Sequence, residues 1–570
     1  MEITEEMRKF IDAPDTIDFI ARQTDYFYDF VNGNPNVLLT QTIGNRYIIG
    51  YIKESYYPEL IEVLGTSFIS SLPTVLGVLD RAALESAGII QVQNQPYLDL
   101  KGRNVLIGFV DTGIDYTLPT FINEDGTSKI QYIFDQNLTS PDRIVDDFYI
   151  GTEYTNAMIN EALKSVTPYD IVPQRDVNGH GTFLASIAAG NPVGDFNSAA
   201  PSSDIIMVKL KKARPFYLNR YCVPPEQEYA FGSTSVMVGI EYILRKAREL
   251  NRPVVICLGI GSNFGGHDGF SIFEEYLSNI SAFKGVCVCV AAGNESQKRH
   301  HTQGVITNQG ETKAIDLKVG DNAGDIYLGI WNTVSDRFSV SIRSPTGEYI
   351  ARIPAKPNTF TENSLVLEKS TVTVDYHFPV EGSGGQATVI RILNATSGLW
   401  TITLHGDIVL DGSYHAWLPI DGFVSPNVEF LEASPYSTIT NPATAQGVIK
   451  TGAYNIINNS LYLNSSWGPT RNEMISPDFV APGVNVGGFY PYGYGVMSGT
   501  SAAAAITAGA CALFLEWGIV DENDIALSTF QIRAYLIRGC TRSDTLAYPN
   551  YQWGYGRLNV INSFNSMRNL

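Results

Sequence analysis

Four short segments of the chain hold residue types that could act together on a carbonyl group. Asp111 follows the apolar run VLIGFV and precedes Thr-Gly; open parallel sheets gather functional groups at the carboxyl ends of their strands. His180 lies in DVNGHGTFLASIAA, at the head of an apolar helical stretch and between glycines that permit close backbone approach. Ser501 lies in GVMSGTSAAAA, on the first turn of an Ala-rich helix. The N–H groups and dipole of such a turn favour negative charge on an attacked carbonyl. Asn294 ends a strand in AAGNE, where a side-chain amide can donate to a developing oxyanion. Together the set supplies acyl transfer by a serine nucleophile, with a histidine to take its proton and a carboxylate to orient the histidine.

Each segment alone has a plainer reading. Asp111 would be a strand-ending turn and Asn294 a turn amide; Ser501 would be a helix N-cap and His180 a structural helix-start residue. Asp-Thr-Gly also marks aspartic proteases, but these share a proton between two such carboxylates, and no second D-T-G or D-S-G occurs. The other histidines, at 267, 300, 301, 377, 405 and 415, lack the Gly-His-Gly-Thr setting and read as packing residues.

The elements that must position these groups follow from periodicity. Continuous apolar runs at 105–110, 204–210, 253–258 and 286–291 read as parallel strands covered on both faces. Helical stretches at 182–189, 234–250 and 270–279 lie between them, the alternation of a parallel α/β sheet. From about 305 to 420 the period becomes two, as in FSVSIRS, STVTVDYHF, ATVIRIL and LWTITLHG; this predicts a β-sandwich, jelly-roll-like in form. The α/β pattern returns after 446, so the sandwich is an insertion. Residues 1–80 predict a small α/β unit: helix-like stretches over 3–30, two strands within 37–52 about a Gly-Asn turn, a helix over 57–64 and a strand over 74–79. Asp80 is positioned to cap a short helix over 81–87.

The chain has 570 residues, enough for two to four domains. Its 39 basic against 58 acidic residues give a net charge of −19, which disfavours non-specific adhesion to nucleic acid or anionic lipid. Hydrophobic residues at 44% and charged residues at 17% exclude disorder. Six cysteines make no disulfide framework and no zinc spacing. Cys287 and Cys289, two apart in a strand, read as small buried hydrophobes. The first residues are acidic with no apolar core segment, so no signal peptide is expected and synthesis is expected to be cytoplasmic. The apolar stretch 501–520 has the length of a membrane span, but its Ala and Gly content predicts a fully buried core helix.

The chain order Asp, His, Asn, Ser and the motifs DTGID at 111–115, GHGT at 179–182, AAGN at 291–294 and GTSAAAA at 499–505 resemble the subtilisin-like serine proteases. Supporting matches are Ala200-Pro201, SSWGPT at 465–470, PDFVAPGVNV at 477–486 and GYGRLNV at 554–560. Segments between Asp111 and His180, such as NEDGTSKIQYIFDQ, look like the clostridial Csp germination proteases. The resemblance implies a subtilisin-like parallel sheet with helices on both faces. It divides the chain into a prodomain over 1–81, a protease unit over 82–300 and 446–570, and an inserted β-sandwich over 301–445. It also implies a serine endopeptidase with Asp111, His180 and Ser501 as triad, and Asn294 with the Ser501 N–H as oxyanion hole. Substrate would pair as a strand beside Leu258-Gly259 and a segment near Phe231-Gly232-Ser233. No cofactor and no metal is implied, since 190–198 is too short for the family's strong calcium loop. Self-cleavage within 78–83, a prodomain retained non-covalently as chaperone and inhibitor, a cortex-lytic zymogen as substrate and spore association are further implications.

Three departures from the family pattern stand out: Leu118-Pro119 for His-Pro, Phe183 for a second His, and Cys257-Leu258-Gly259 for Ser-Leu-Gly. A receptor or scaffold without turnover is the rival reading, because some Csp relatives lack catalytic residues; a general bacterial subtilisin-like protease unrelated to spores is another. The β insertion is read as a clamp on the protease unit, with a carbohydrate- or partner-binding module as the alternative.

Overall fold

The computed structural model describes residues 5–22, 31, 34–44, 46–65, 71–73, 75–78, 85–138 and 148–567. Among them, the central element is a sheet with strand order Phe479–Pro482, Ile449–Tyr454, Val286–Ala291, Val254–Leu258, Leu106–Asp111, Asp204–Lys209, Ile130–Asp135, Thr152–Thr155. Neighbours are parallel except the last pair, Ile130–Asp135 with Thr152–Thr155. Every residue of Leu106–Asp111, Val254–Leu258 and Val286–Ala291 is buried, which explains why these strands read as unbroken apolar runs. One face packs on His180–Ala189 and Thr500–Leu515, the other on Ser233–Glu249 and Ile272–Ile280. The fold is an α/β sheet, parallel but for one edge pair, with helices on both faces.

The apolar stretch near the C-terminus is a helix over Thr500–Leu515 with all sixteen residues buried. Small side chains make this possible. At Gly509 an added Cβ would stand 2.3 Å from that of Ala199. The helix ends in a π-turn, Glu516–Val520. There the buried Glu516 carboxylate accepts from the backbone N–H groups of Lys101 and Gly102 and pairs with Arg103.

Between Val286–Ala291 and Ile449–Tyr454 the chain builds two antiparallel sheets. One has the order 301–305, 413–417, 326–332, 386–393, 370–377, 359–365; the other 349–353, 337–343, 398–408, 312–319, 428–430. Their facing side chains form a separate core around Trp400. The α/β unit resumes earlier than residue 446. Ile439, Ala443 and Ala445 already pack in its core, and the Thr440 N–H donates to the Ala292 carbonyl at 2.9 Å.

The N-terminal unit is a sheet of Thr16–Arg22, Tyr47–Lys53 and Val37–Ile43, with helices at Glu5–Asp12 and Tyr57–Leu64. Thr16–Arg22 is a strand where helix-like stretches were expected. It pairs with Tyr47–Lys53 along its whole length, and six of its seven residues are buried, so tertiary pairing decides its state. Residues 79–84, which include the expected Asp80 cap, lie outside the described residues; Glu85–Ala87 is a 3₁₀ turn. Ile20, Ile49 and Tyr51 of this sheet pack with Val236, Ile240 and Tyr276 of the two outer helices. Its other face shares a core with both larger units: Ile17, Phe19 and Leu72 meet Tyr217, Tyr221 and Phe264, and also Tyr327, Val389 and Phe423 of the insertion. The Arg22 guanidinium spans the same junction, pairing with Glu275 of the α/β unit and Glu381 of the insertion.

Trp400 is fully buried and its indole N–H donates to the Thr396 carbonyl at 2.9 Å. Trp400→Ala is expected to destabilise the insertion by about 3–5 kcal/mol, read as a lowered denaturation midpoint.

Candidate active site

Asp111 closes its strand with the carboxylate held by the Thr112 N–H at 2.7 Å. The His180 ring nitrogen Nδ1 lies 2.8 and 3.0 Å from the two Asp111 carboxylate oxygens. Both residues are buried, so the pair is shielded from solvent screening.

The approach of the two elements is set by glycines and by one buried carboxylate. Gly179 has φ +87°, and an added Cβ would meet the Tyr490 ring at 2.8 Å. At Gly181 an added Cβ would lie 2.3 Å from the Gly113 carbonyl oxygen and 3.2 Å from Asp111 Cβ. Gly181 N–H instead donates to Thr112 Oγ1 at 3.0 Å. Asp176 accepts from the N–H groups of Gly179 and Thr182 and from the Thr182 hydroxyl at 2.7–2.9 Å. This satisfies N–H groups of the first turn and starts the helix at His180, two residues before the expected 182. Burial pushes the Asp176 carboxyl above the usual carboxylate range, against the pull of the Thr182 and Gly179 hydrogen bonds.

Ser501 is buried on the first turn of Thr500–Leu515, and its hydroxyl donates to the Gly259 carbonyl at 2.8 Å. A Cβ built on Gly259 would lie 3.1 Å from His180 Cε1 and 3.3 Å from Ser501 Cβ. The serine, the histidine and this backbone therefore converge on one spot. Asn294 is half-buried, and its side-chain carbonyl accepts from the Thr500 N–H at 3.1 Å and the Thr500 hydroxyl at 3.2 Å. With the carbonyl end so occupied, the amide NH₂ is the end left to donate elsewhere. The four groups separated by up to 390 positions in the chain (111 to 501) thus meet at the carboxyl edge of the sheet.

Beside them lies a paired strand. Val75–Val78 is antiparallel to two short segments at once: Val75 and Leu76 face Gly232 and Phe231, while Gly77 and Val78 face Gly261 and Ile260. The paired edges are thus Phe231–Gly232, within the expected Phe231-Gly232-Ser233, and Ile260–Gly261, which begins one residue beyond the expected Leu258-Gly259. Leu258 pairs with Val290 inside the central sheet, and Ser233 opens the helix Ser233–Glu249. Only backbone beyond the sheet is free to take a further strand. Gly232 keeps its expected place, and Gly259 lies against Ser501 and His180 instead.

Sequence reasoning passed over Asp176 and Thr500. Asp176 stands three residues before Gly179, and Thr500 adjoins the serine; the motifs contain both, but only the folded contacts reveal what they hold. Of the remaining histidines, His267, His301 and His415 stack around Trp417 at the junction with the insertion.

The subtilase family profile matches residues 102–316 and 427–556, on either side of most of the insertion. The chain belongs to the subtilase family. Among solved structures it is similar to the Clostridium perfringens CspB protease, at 33% identity and a TM-score of 0.75, covering 85% of this chain and 98% of that one. Two Arabidopsis thaliana proteins are also similar. Subtilisin-like protease SBT2.2 is 34% identical over 104 residues, 16% of this chain and 11% of that protein. Subtilisin-like protease SBT3.12 is 22% identical over 433 residues, 72% and 54% respectively. The chain thus spans about half the length of one curated relative and about a tenth of the other.

Gly181→Ala forces the His180 turn away from Asp111. An expected cost of about 1–3 kcal/mol, typical of overpacking, is read as a lowered melting temperature beside Gly329→Ala, where the backbone has no positive φ and the new Cβ would meet its nearest atom at 3.4 Å.

Proposed function

We propose that the protein is a serine endopeptidase that cleaves its own N-terminal segment. The observation that carries this reading is the juxtaposition of the Asp111–His180 pair and Ser501 with a strand of the chain held between two edges. Extended peptides bind proteases in this way, by backbone pairing with an exposed edge.

In the proposed mechanism Ser501 Oγ leaves the Gly259 carbonyl, gives its proton to His180 Nε2 and attacks the scissile carbonyl carbon. Asp111 accepts from His180 Nδ1–H, fixing the tautomer and stabilising the imidazolium. The Ser501 N–H and the Asn294 amide bind the oxyanion, with Thr500 orienting the amide. His180 then returns the proton to the leaving amine, and a water repeats the sequence on the acyl-enzyme.

The N-terminal unit, residues 1–81, is proposed to act as chaperone and inhibitor. Its sheet buries two outer helices of the α/β unit and its tail enters the cleft, which supports both roles. Cleavage is proposed within 78–83, a window that lies beyond the described residues after Val78. Retention of the cleaved segment is supported by the three-way apolar core and by Arg214. That residue pairs with Asp18 at 3.0 Å and donates to the carbonyls of Thr16 and Ile11. A protein zymogen is the proposed substrate, a spore cortex-lytic enzyme being the candidate that the Csp resemblance suggests, with the spore as the place of action. The insertion is proposed to clamp the protease unit and the N-terminal unit together.

Intact mass of the full chain beside Ser501→Ala tests the reading. The wild type is expected to release a fragment of about 9 kDa from the 62.6 kDa chain, and Ser501→Ala to remain whole. Wild type that stays whole and does not react with a fluorophosphonate probe would favour a receptor or scaffold. In the active enzyme, Asn294→Ala is expected to lower kcat by about 10²–10³, the range found for an oxyanion donor of subtilisin, with little change in KM.

A further inference from the structure

Beneath the helix that carries Ser501 lies a group of side chains that acyl transfer does not use. Cys287 and Cys289 are two apart on Val286–Ala291 and so share one face of the strand. Cys511, from the middle of Thr500–Leu515, comes down on that face. All three are fully buried, and their sulfurs lie within 4.8 Å of one another, Cys289 and Cys511 at 3.5 Å. A further cysteine, Cys257, pairs with Cys289 across the sheet and belongs to the same core.

Three sulfurs converging in a hydrocarbon core are the donor set of a soft cation, since thiolates select Cu(I), zinc and iron–sulfur clusters over hard ions. Metal–sulfur bonds of about 2.3 Å place three trigonal sulfurs about 4 Å apart, between the separations found here. Zinc takes four ligands, and among the described residues no histidine, aspartate or glutamate joins the group. Three buried sulfurs with no fourth ligand among the described residues leave a soft cation of lower coordination number, of the Cu(I) type.

We propose that Cys287, Cys289 and Cys511 form a three-sulfur site for a soft monovalent metal ion of the Cu(I) type. A bound ion staples the strand that leads to Asn294 to the helix whose first turn carries Ser501. Because no sulfur reaches the surface, the ion enters while sheet and helix assemble, and binding is coupled to folding.

The test unfolds and refolds the full chain under anaerobic conditions with Cu(I) buffered by a chromogenic chelator, then counts copper retained after desalting. One equivalent is expected in the wild type and in Cys222→Ala, with a melting temperature higher than that of the copper-free protein. Retention is expected to fall roughly tenfold or more in Cys511→Ala and in the near-isosteric Cys289→Ser, with circular dichroism reporting which variants refold. No copper in refolded wild type, or equal retention in either refolded variant, overturns the proposal.

Discussion

The helix Thr500–Leu515 has no solvent face, and the rest of the α/β unit is arranged around that constraint. A helix apolar on every side must be covered on every side. The sheet covers it from one direction and the helix His180–Ala189 from another. Both neighbours come close only because the contacting residues are small: Ala502 to Ala505 on the helix itself, and Gly509, where an added Cβ would lie 3.0 Å from the Ala188 carbonyl oxygen of the histidine helix. The same packing brings the histidine helix and the serine helix to the carboxyl edge of the sheet. The site is therefore a by-product of a core that has no room to rearrange.

Around this rigid centre the N-terminal unit behaves as a wedge with two supports. One face buries apolar residues of the outer helices, and the other is shared with both the α/β unit and the insertion. The ion pairs follow the same geometry. Arg22 reaches a carboxylate on each partner, and Arg220 joins the α/β unit to Asp375 of the insertion at 3.3 Å. Such half-buried pairs specify register and orientation more than they add net stability. The strand Val75–Val78 lies between Phe231–Gly232 and Ile260–Gly261.

The polar framework of the site is secondary in another sense. Asp176 and Thr500 touch none of the reacting atoms assigned in the mechanism, and Thr112 touches only the Asp111 carboxylate. They fix backbone N–H groups and one amide, so that Gly181 can approach Asp111 and the Asn294 carbonyl is occupied. Buried hydrogen bonds of this kind are costly to leave unmade, which makes each a constraint on the turn it joins.

Four of the parallel strands, the helix over 57–64 and the β insertion were legible from periodicity, and the buried character of the C-terminal helix from its Ala and Gly content. The reason is local: hydrophobic period reports which faces are covered, whatever covers them. The residues that could do chemistry were legible as types at strand ends and helix starts. Tertiary structure decided what depends on distant partners. Thr16–Arg22 is a strand because Tyr47–Lys53 pairs with it, and the free edges fall at Ile260–Gly261 and Phe231–Gly232 because Leu258 is already consumed by the sheet. Cys511 joins Cys287 and Cys289 from more than two hundred residues away, a proximity that spacing along the chain cannot encode.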